Sequence, residues 1–218
     1  TNVRYAFELM GMDIRMTGFT GTTYIPDSTN LPDTVVATTD NKCPLVDLFG
    51  TKGCTAGGGP LRGYNSSTPG YITDAKANTD SLTVVRTDTL NKYNVSSYDS
   101  TTGTFTLDQW YWSTTPSPPP PTGQIFVAAD YTHAAIFQVD GSGINSTSKT
   151  VTKTGLGSFG GVVSALYNLS GVTYYIGTNP ANEPALYRAK LVGNSDMTVT
   201  STAEELVQGV EDMQITYG

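Results

Sequence analysis

The sequence predicts an α+β protein in which one amino-terminal helix packs on antiparallel β-sheet and the rest of the chain is mostly β. Three observations carry this expectation. Only 14% of the residues are charged, while Thr, Ser, Gly, Asn and Tyr abound, a balance that favours strands and turns over long surface helices. In the first half of the chain, only the opening segment repeats its apolar residues with the period of a helix. Downstream, short alternating runs rich in β-branched residues are separated by turn formers.

The helical segment is residues 1–17, TNVRYAFELMGMDIRMT. At about 100° per residue its apolar positions separate into two stripes. Val3, Phe7, Met10 and Ile14 form one, and Tyr5, Leu9, Met12 and Met16 the other. Arg4, Glu8 and Arg15 fill the gap on one side. A helix laid on a single sheet needs one apolar stripe, so the second asks for a further partner. We expect Val3, Phe7, Met10 and Ile14 to hold the sheet and Tyr5, Leu9, Met12 and Met16 to meet a neighbouring subunit, although the two roles can be exchanged.

From Gly18 to about residue 80 the chain is rich in Thr, Pro, Gly and Asn, and GCTAGGGP at 53–60 is too glycine-rich for regular structure. This reads as a long loop region pinned by a disulfide between Cys43 and Cys54, the only cysteines. Such a bridge removes roughly 3 kcal/mol of unfolded-chain freedom and implies an oxidising compartment. Two free buried thiols are the plainer alternative. Zinc lacks ligands, because two cysteines and the distant His133 fall short of four.

The region 81–218 is expected to complete a single globular domain. Ser81–Asp88 and Thr104–Trp112 read as strands, with turn material over Tyr93–Gly103. A proline-rich connector at 116–122 cannot join a sheet interior and is expected as polyproline II. Gln124–Ala129, Ala134–Val139, Gly161–Leu166, Val172–Ile176 and Ala185–Leu191 follow as strands, with turns at DGSG and at Ser170–Gly171. Thr202 and Glu205 fit a capping box that opens a helical turn through Val207. Met213, Ile215 and Tyr217 alternate as a last strand.

Charge and motif exclude several functions. With 12 Lys+Arg against 19 Asp+Glu, the net charge of -7 offers no basic stripe for nucleic acid. No run of apolar residues is long enough to span a membrane. His133 is the only histidine, no nucleophile elbow accompanies it, and an enzyme is not expected. Glu204, Glu205, Glu211 and Asp212 read as solvating charge. Asp99, Asp140, Ser142 and Asn145 place oxygens in turns, so a calcium site is an alternative, but hairpin chemistry explains them better. The sequons at Asn65, Asn94, Asn145 and Asn168 follow from a Ser/Thr-rich composition. Trp110 and Trp112 share one face of their strand and Tyr111 the other. An adhesive or carbohydrate-binding domain would expose the indoles, and large aromatics are more often buried.

Specific residues carry a family resemblance. RYAFELMGMDIRMTGFTG at 4–21 resembles the end of the long amino-terminal helix of PilW-type minor pilins of the type IV pilus. SLTVVRTD at 81–88 and FVAADYTHAAIFQVD at 126–140 resemble that family's central strands. YYIGTNPANEPALYRAKLV and the following AEELVQGVEDMQITYG resemble its terminal region, the EELVQGVEDMQ run being the most specific. The resemblance implies a pilin-like fold, similar to the GspJ pseudopilins of type II secretion. It implies a structural subunit in a priming or tip complex, with no cofactor. Partners would be major and minor pilins met through the helix, and a tip adhesin. The expected location is the extracellular pilus or periplasm, with membrane attachment only through a missing hydrophobic segment ahead of residue 1. A secretion pseudopilin is the alternative. Relatives often carry cysteines where this chain has Thr22 and Tyr131, so their disulfide arrangement is not carried over to Cys43 and Cys54.

Overall fold

The computed structural model describes residues 2–19, 61–108, 111–112, 115–116, 120–130, 134–197 and 199–216. Helix α1 (Asn2–Arg15) is followed by β1 (Leu61–Tyr64), β2 (Ser81–Asp99), β3 (Thr104–Leu107), β4 (Tyr111–Trp112) and β5 (Thr115–Pro116). Then come β6 (Ile125–Ala129), β7 (Ala134–Gln138), β8 (Ile144–Asn145), β9 (Thr150–Thr152), β10 (Ala165–Thr178), β11 (Pro184–Gly193) and β12 (Val199–Gln208). All strand pairs are antiparallel. The main path runs β12-β11-β10-β2-β3-β9-β8, and β4 with β5 forms a separate two-stranded ribbon.

β10 is the axis of the sheet. Over Ala165–Tyr174 it pairs with β2; on its other side β11 takes Val172–Thr178 and β6 takes Leu166–Asn168. The strand is buried along most of its length, as a strand covered on both faces must be. Gly171, expected as part of a turn, lies inside it. An added Cβ there would meet Leu191 at 3.1 Å, so the glycine serves close packing within a strand. The two strands expected at Gly161–Leu166 and Val172–Ile176 are therefore one, beginning at Ala165.

β2 also exceeds its expected end. Tyr93–Asp99, read as turn material, continues the strand because Tyr93 and Val95 alternate into the core. The register breaks where Asn168 pairs with Asp88 and Tyr167 with Lys92, so β2 bulges and bends there. The bend opens a second apolar layer, in which Phe105 and Phe137 stack at 5.6 Å and Tyr93 meets Phe126 edge-on at 5.9 Å.

The carboxy-terminal reading changes most. Thr202–Val207 is strand, not a helical turn, because β11 offers an open ladder that outweighs the local helix preference of AEELVQ. Met213 and Ile215 do turn inward while Gln214 and Thr216 face solvent, but among the described residues this tail pairs with no strand, and Tyr217 falls outside them. Instead the Met213 carbonyl accepts from Asp80 N at 3.0 Å, and Asp80 Oδ2 accepts from Ile215 N at 2.8 Å. The tail thus lies beside α1 on one face of the sheet. The stretch before β2 covers the opposite face, where Tyr71 bonds Thr173 at 2.9 Å and Ile72 packs with Tyr175 and Tyr187. Part of the expected loop region is also strand, since β1 pairs with the start of β2.

Candidate functional site

The surface that the sequence singles out is α1, and its placement begins with how the helix is fastened. Gly18 closes it with φ 73°, a left-handed conformation that glycine adopts without penalty. The exiting chain then bonds along β2: Gly18 N donates to the Val85 carbonyl at 2.9 Å and Thr87 N to the Phe19 carbonyl at 2.7 Å. These bonds fix the axial position of the helix, and side chains then fix its rotation.

The contact face consists of Ala6, Met10 and Asp13, spaced one helical turn apart. Ala6 is small enough for close approach to Ile176, Leu186 and Val207. Met10 spans the seam between Leu82, Val84 and the tail residues Met213 and Ile215. A bulge in β12 leaves Leu206 without a partner opposite Leu186/Tyr187, so Leu206 joins Val207 in the apolar group beneath the helix.

Asp13 is fully enclosed, with 0% of its surface exposed. Its Oδ2 accepts from the Tyr174 hydroxyl at 2.7 Å and from Arg188 Nη2 at 3.0 Å; its Oδ1 accepts from Arg86 Nη2 at 3.2 Å. Arg188 reaches onward to Glu204 at 3.2 Å, which Lys190 approaches at 3.8 Å. One helical carboxylate therefore ties α1 to β2, β10, β11 and, through Arg188, β12. Burial pushes the Asp13 carboxyl up, but the hydrogen bonds from Tyr174 and Arg188, the Arg188 charge and the Arg86 bond together hold it below 3.8. The same burial, reinforced by Asp13, pushes the Tyr174 hydroxyl well above its ordinary value.

This arrangement corrects the expected packing stripe. Val3 and Phe7 are 51% and 69% exposed and Ile14 sits at the exposed margin, so of the residues assigned to the sheet only Met10 packs there. Of the other stripe, Tyr5 and Met12 are 59% and 47% exposed, while Leu9 and Met16 are half-buried. The contact face lies between the two stripes, leaving an apolar flank on each side of the helix. Reading apolar periodicity passed over this seam because one of its members is a bare methyl group and another is charged. Its signal was nevertheless present: Asp13 alone of the helix's acidic residues falls on the apolar side, and Arg86 and Arg188 each directly follow apolar strand residues, Val84–Val85 and Leu186–Tyr187.

Of the other candidate residues that are described, Glu204 joins this site, through Arg188. Asp140 accepts from Gly143 N at 3.0 Å, Asn145 from Thr147 N and Ser148 N at 3.0 Å, and Asp99 from Thr101 N at 2.8 Å. Each of these groups closes its own turn. Among the described residues no three His, Cys, Asp or Glu side chains are grouped to hold a metal, and no helix is long and apolar enough to cross a membrane. Glu204 and Glu205 lie on β12, and Glu211 and Asp212 in the tail. Tyr111 and Trp112 lie in the β4–β5 ribbon. Cys43, Cys54, Trp110 and His133 fall outside the described residues.

Comparison with known proteins adds one positive finding. Residues 173–218 match the family model PilW, described as Type IV Pilus-assembly protein W. The matched segment comprises the last six residues of β10, then β11, β12 and the tail, the part of the sheet on which α1 lies. The match supports a PilW-type pilus-assembly protein, in agreement with the resemblance read from the sequence. No curated protein and no solved structure matches the chain.

Proposed function

Taking this PilW-type carboxy-terminal region as the premise, we propose that the protein is a minor pilin that enters a priming or tip complex of a type IV pilus and works by packing. Its partners on this reading are other pilins, and a tip adhesin where the complex displays one, outside the inner membrane. The observation that carries the proposal is the pair of exposed apolar flanks on a rigidly held helix. Val3 and Phe7 on one side and Tyr5 and Met12 on the other present large side chains to solvent. A helix bound to its sheet through four strands has no need of them for its own fold.

The test places lysine at Phe7 and, separately, at Met12 in the protein expressed by its own cell. Both positions are exposed, so the domain keeps its stability to within about 0.5 kcal/mol, as thermal unfolding of the purified domain would show. Piliation, counted by electron microscopy, should be lost. Normal pili with both variants present in the cell envelope would contradict the proposal.

A further inference from the structure

A second surface lies away from the helix flanks, at the end of the sheet. β12 ends the strand order, and its strand partner among the described residues is β11 alone. It is ten residues long, VTSTAEELVQ, with neither proline nor glycine. Thr202, Ala203, Glu204 and Glu205 are exposed in succession. Successive strand residues face opposite sides of a sheet, so four exposed in a row mean that both faces of the strand are open there. The apolar group beneath the helix takes in Leu206 and Val207 of β12, outside this exposed run. Natural sheet edges are commonly blunted by charged side chains, proline, a bulge or a covering loop; in β12 the bulge falls at Leu206 and the charge is acidic, and the exposed run Thr202–Glu205 holds neither lysine nor proline.

The charge on this edge selects its occupant. Glu204 and Glu205 stand side by side, and Glu183 and Gln208 bond to each other at the end of the strand. Glu204 is met by Arg188 and Lys190, whereas Glu205 joins no ion pair among the described residues. Two copies of this chain joined antiparallel through β12 would bring their Glu204–Glu205 pairs together, and like charges across a ladder oppose pairing. A strand bearing lysine or arginine gains both the ladder bonds and the charge.

We propose that the outer edge of β12 takes an extended basic strand from a partner chain by strand addition. This rests on the reading of the protein as an assembly subunit, and it names a contact that the helix does not make. The backbone ladder provides the attraction, and the two glutamates reject a second copy.

The probes are three ten-residue peptides: one alternating lysine with threonine and valine, its counterpart with glutamate for lysine, and one with the sequence of β12. Amide hydrogen exchange across 199–208 reports occupancy of the edge. The lysine peptide should slow exchange about tenfold at saturation, and the other two should leave it unchanged. Thr202→Pro and Ala203→Pro provide the control. Adjacent amides of an edge strand point alternately inward and outward, so one variant breaks the β11 ladder and melts early, while the other keeps the native unfolding temperature. The stable variant should lose the lysine-peptide protection. Protection by the β12 peptide, equal protection by the glutamate peptide, protection by none, or retention of protection in the stable proline variant would each overturn the proposal. These measurements use the isolated domain and are independent of piliation, so failure here and failure of the helix-flank test are distinguishable.

Discussion

Replacing Asp13 by asparagine preserves the outline of the side chain and removes its charge, leaving two guanidiniums that were brought together to meet it. The Arg188 and Arg86 side chains are 9% and 17% exposed, and both lie within 3.2 Å of the carboxylate. Removing one partner of a buried ion pair costs about 3–5 kcal/mol, because the other charge stays desolvated. Two features place this case at the lower end. Arg188 keeps Glu204 at 3.2 Å, and the Tyr174 hydroxyl can still donate to the asparagine carbonyl oxygen. We therefore expect a loss of about 3 kcal/mol, or about 6–12 °C in thermal midpoint for a chain of this size. Urea unfolding followed by circular dichroism measures it. A second readout uses acid. The folded-state pKa of Asp13 lies below its unfolded value of 3.8, so the stabilisation is fully present above that value and disappears as pH falls through the lowered one. The asparagine variant should therefore lose less stability than the parent between neutral pH and pH values below 3.8. A loss under about 1 kcal/mol, the range of exposed pairs, together with an unchanged acid profile, would refute the clasp.

Three further outcomes follow from the same geometry. Tyr174→Phe deletes one donor to Asp13 while both arginines remain, and should cost about 1–2 kcal/mol in chemical unfolding. It should also bring the acid transition to higher pH, because the Asp13 carboxyl loses a bond that lowers its pKa. Gly193→Ala would set a Cβ 2.0 Å from the Gly123 carbonyl oxygen; backbone must yield, and a loss of about 1–3 kcal/mol is expected by thermal melting. Phe105→Ala empties the centre of the aromatic layer and should cost about 3–5 kcal/mol, with a near-ultraviolet dichroism change from the loss of its stacking on Phe137 and Tyr98.

Much of the architecture was legible because periodicity reports burial directly. The opening helix, the β6–β7 hairpin and β11 appear where alternating or helical patterns placed them, and glycine and aspartate mark the turns. The misreadings share one cause. KYNVSSYD and AEELVQ have local preferences for turn and helix, yet each lies against an open ladder, β10 with β3 for the first and β11 for the second. Ladder bonds and burial outweigh propensities worth a few tenths of a kcal/mol per residue. The candidate surface was half legible: the helix and its two apolar stripes were visible, but the assignment of a stripe to the sheet was not.

By itself the sequence determined the fold class, the position of the amino-terminal helix, and the presence of more apolar surface on that helix than a single sheet can cover. Tertiary structure alone decided which residues face inward. That choice rests on Asp13, whose charge is admissible in the interior only because β2, β10 and β11 deliver Arg86, Tyr174 and Arg188 to within hydrogen-bonding distance of it. Those residues are 73 to 175 positions away along the chain. No local pattern encodes their meeting, and once they meet, the rotation of the helix and the exposure of its two flanks follow from it.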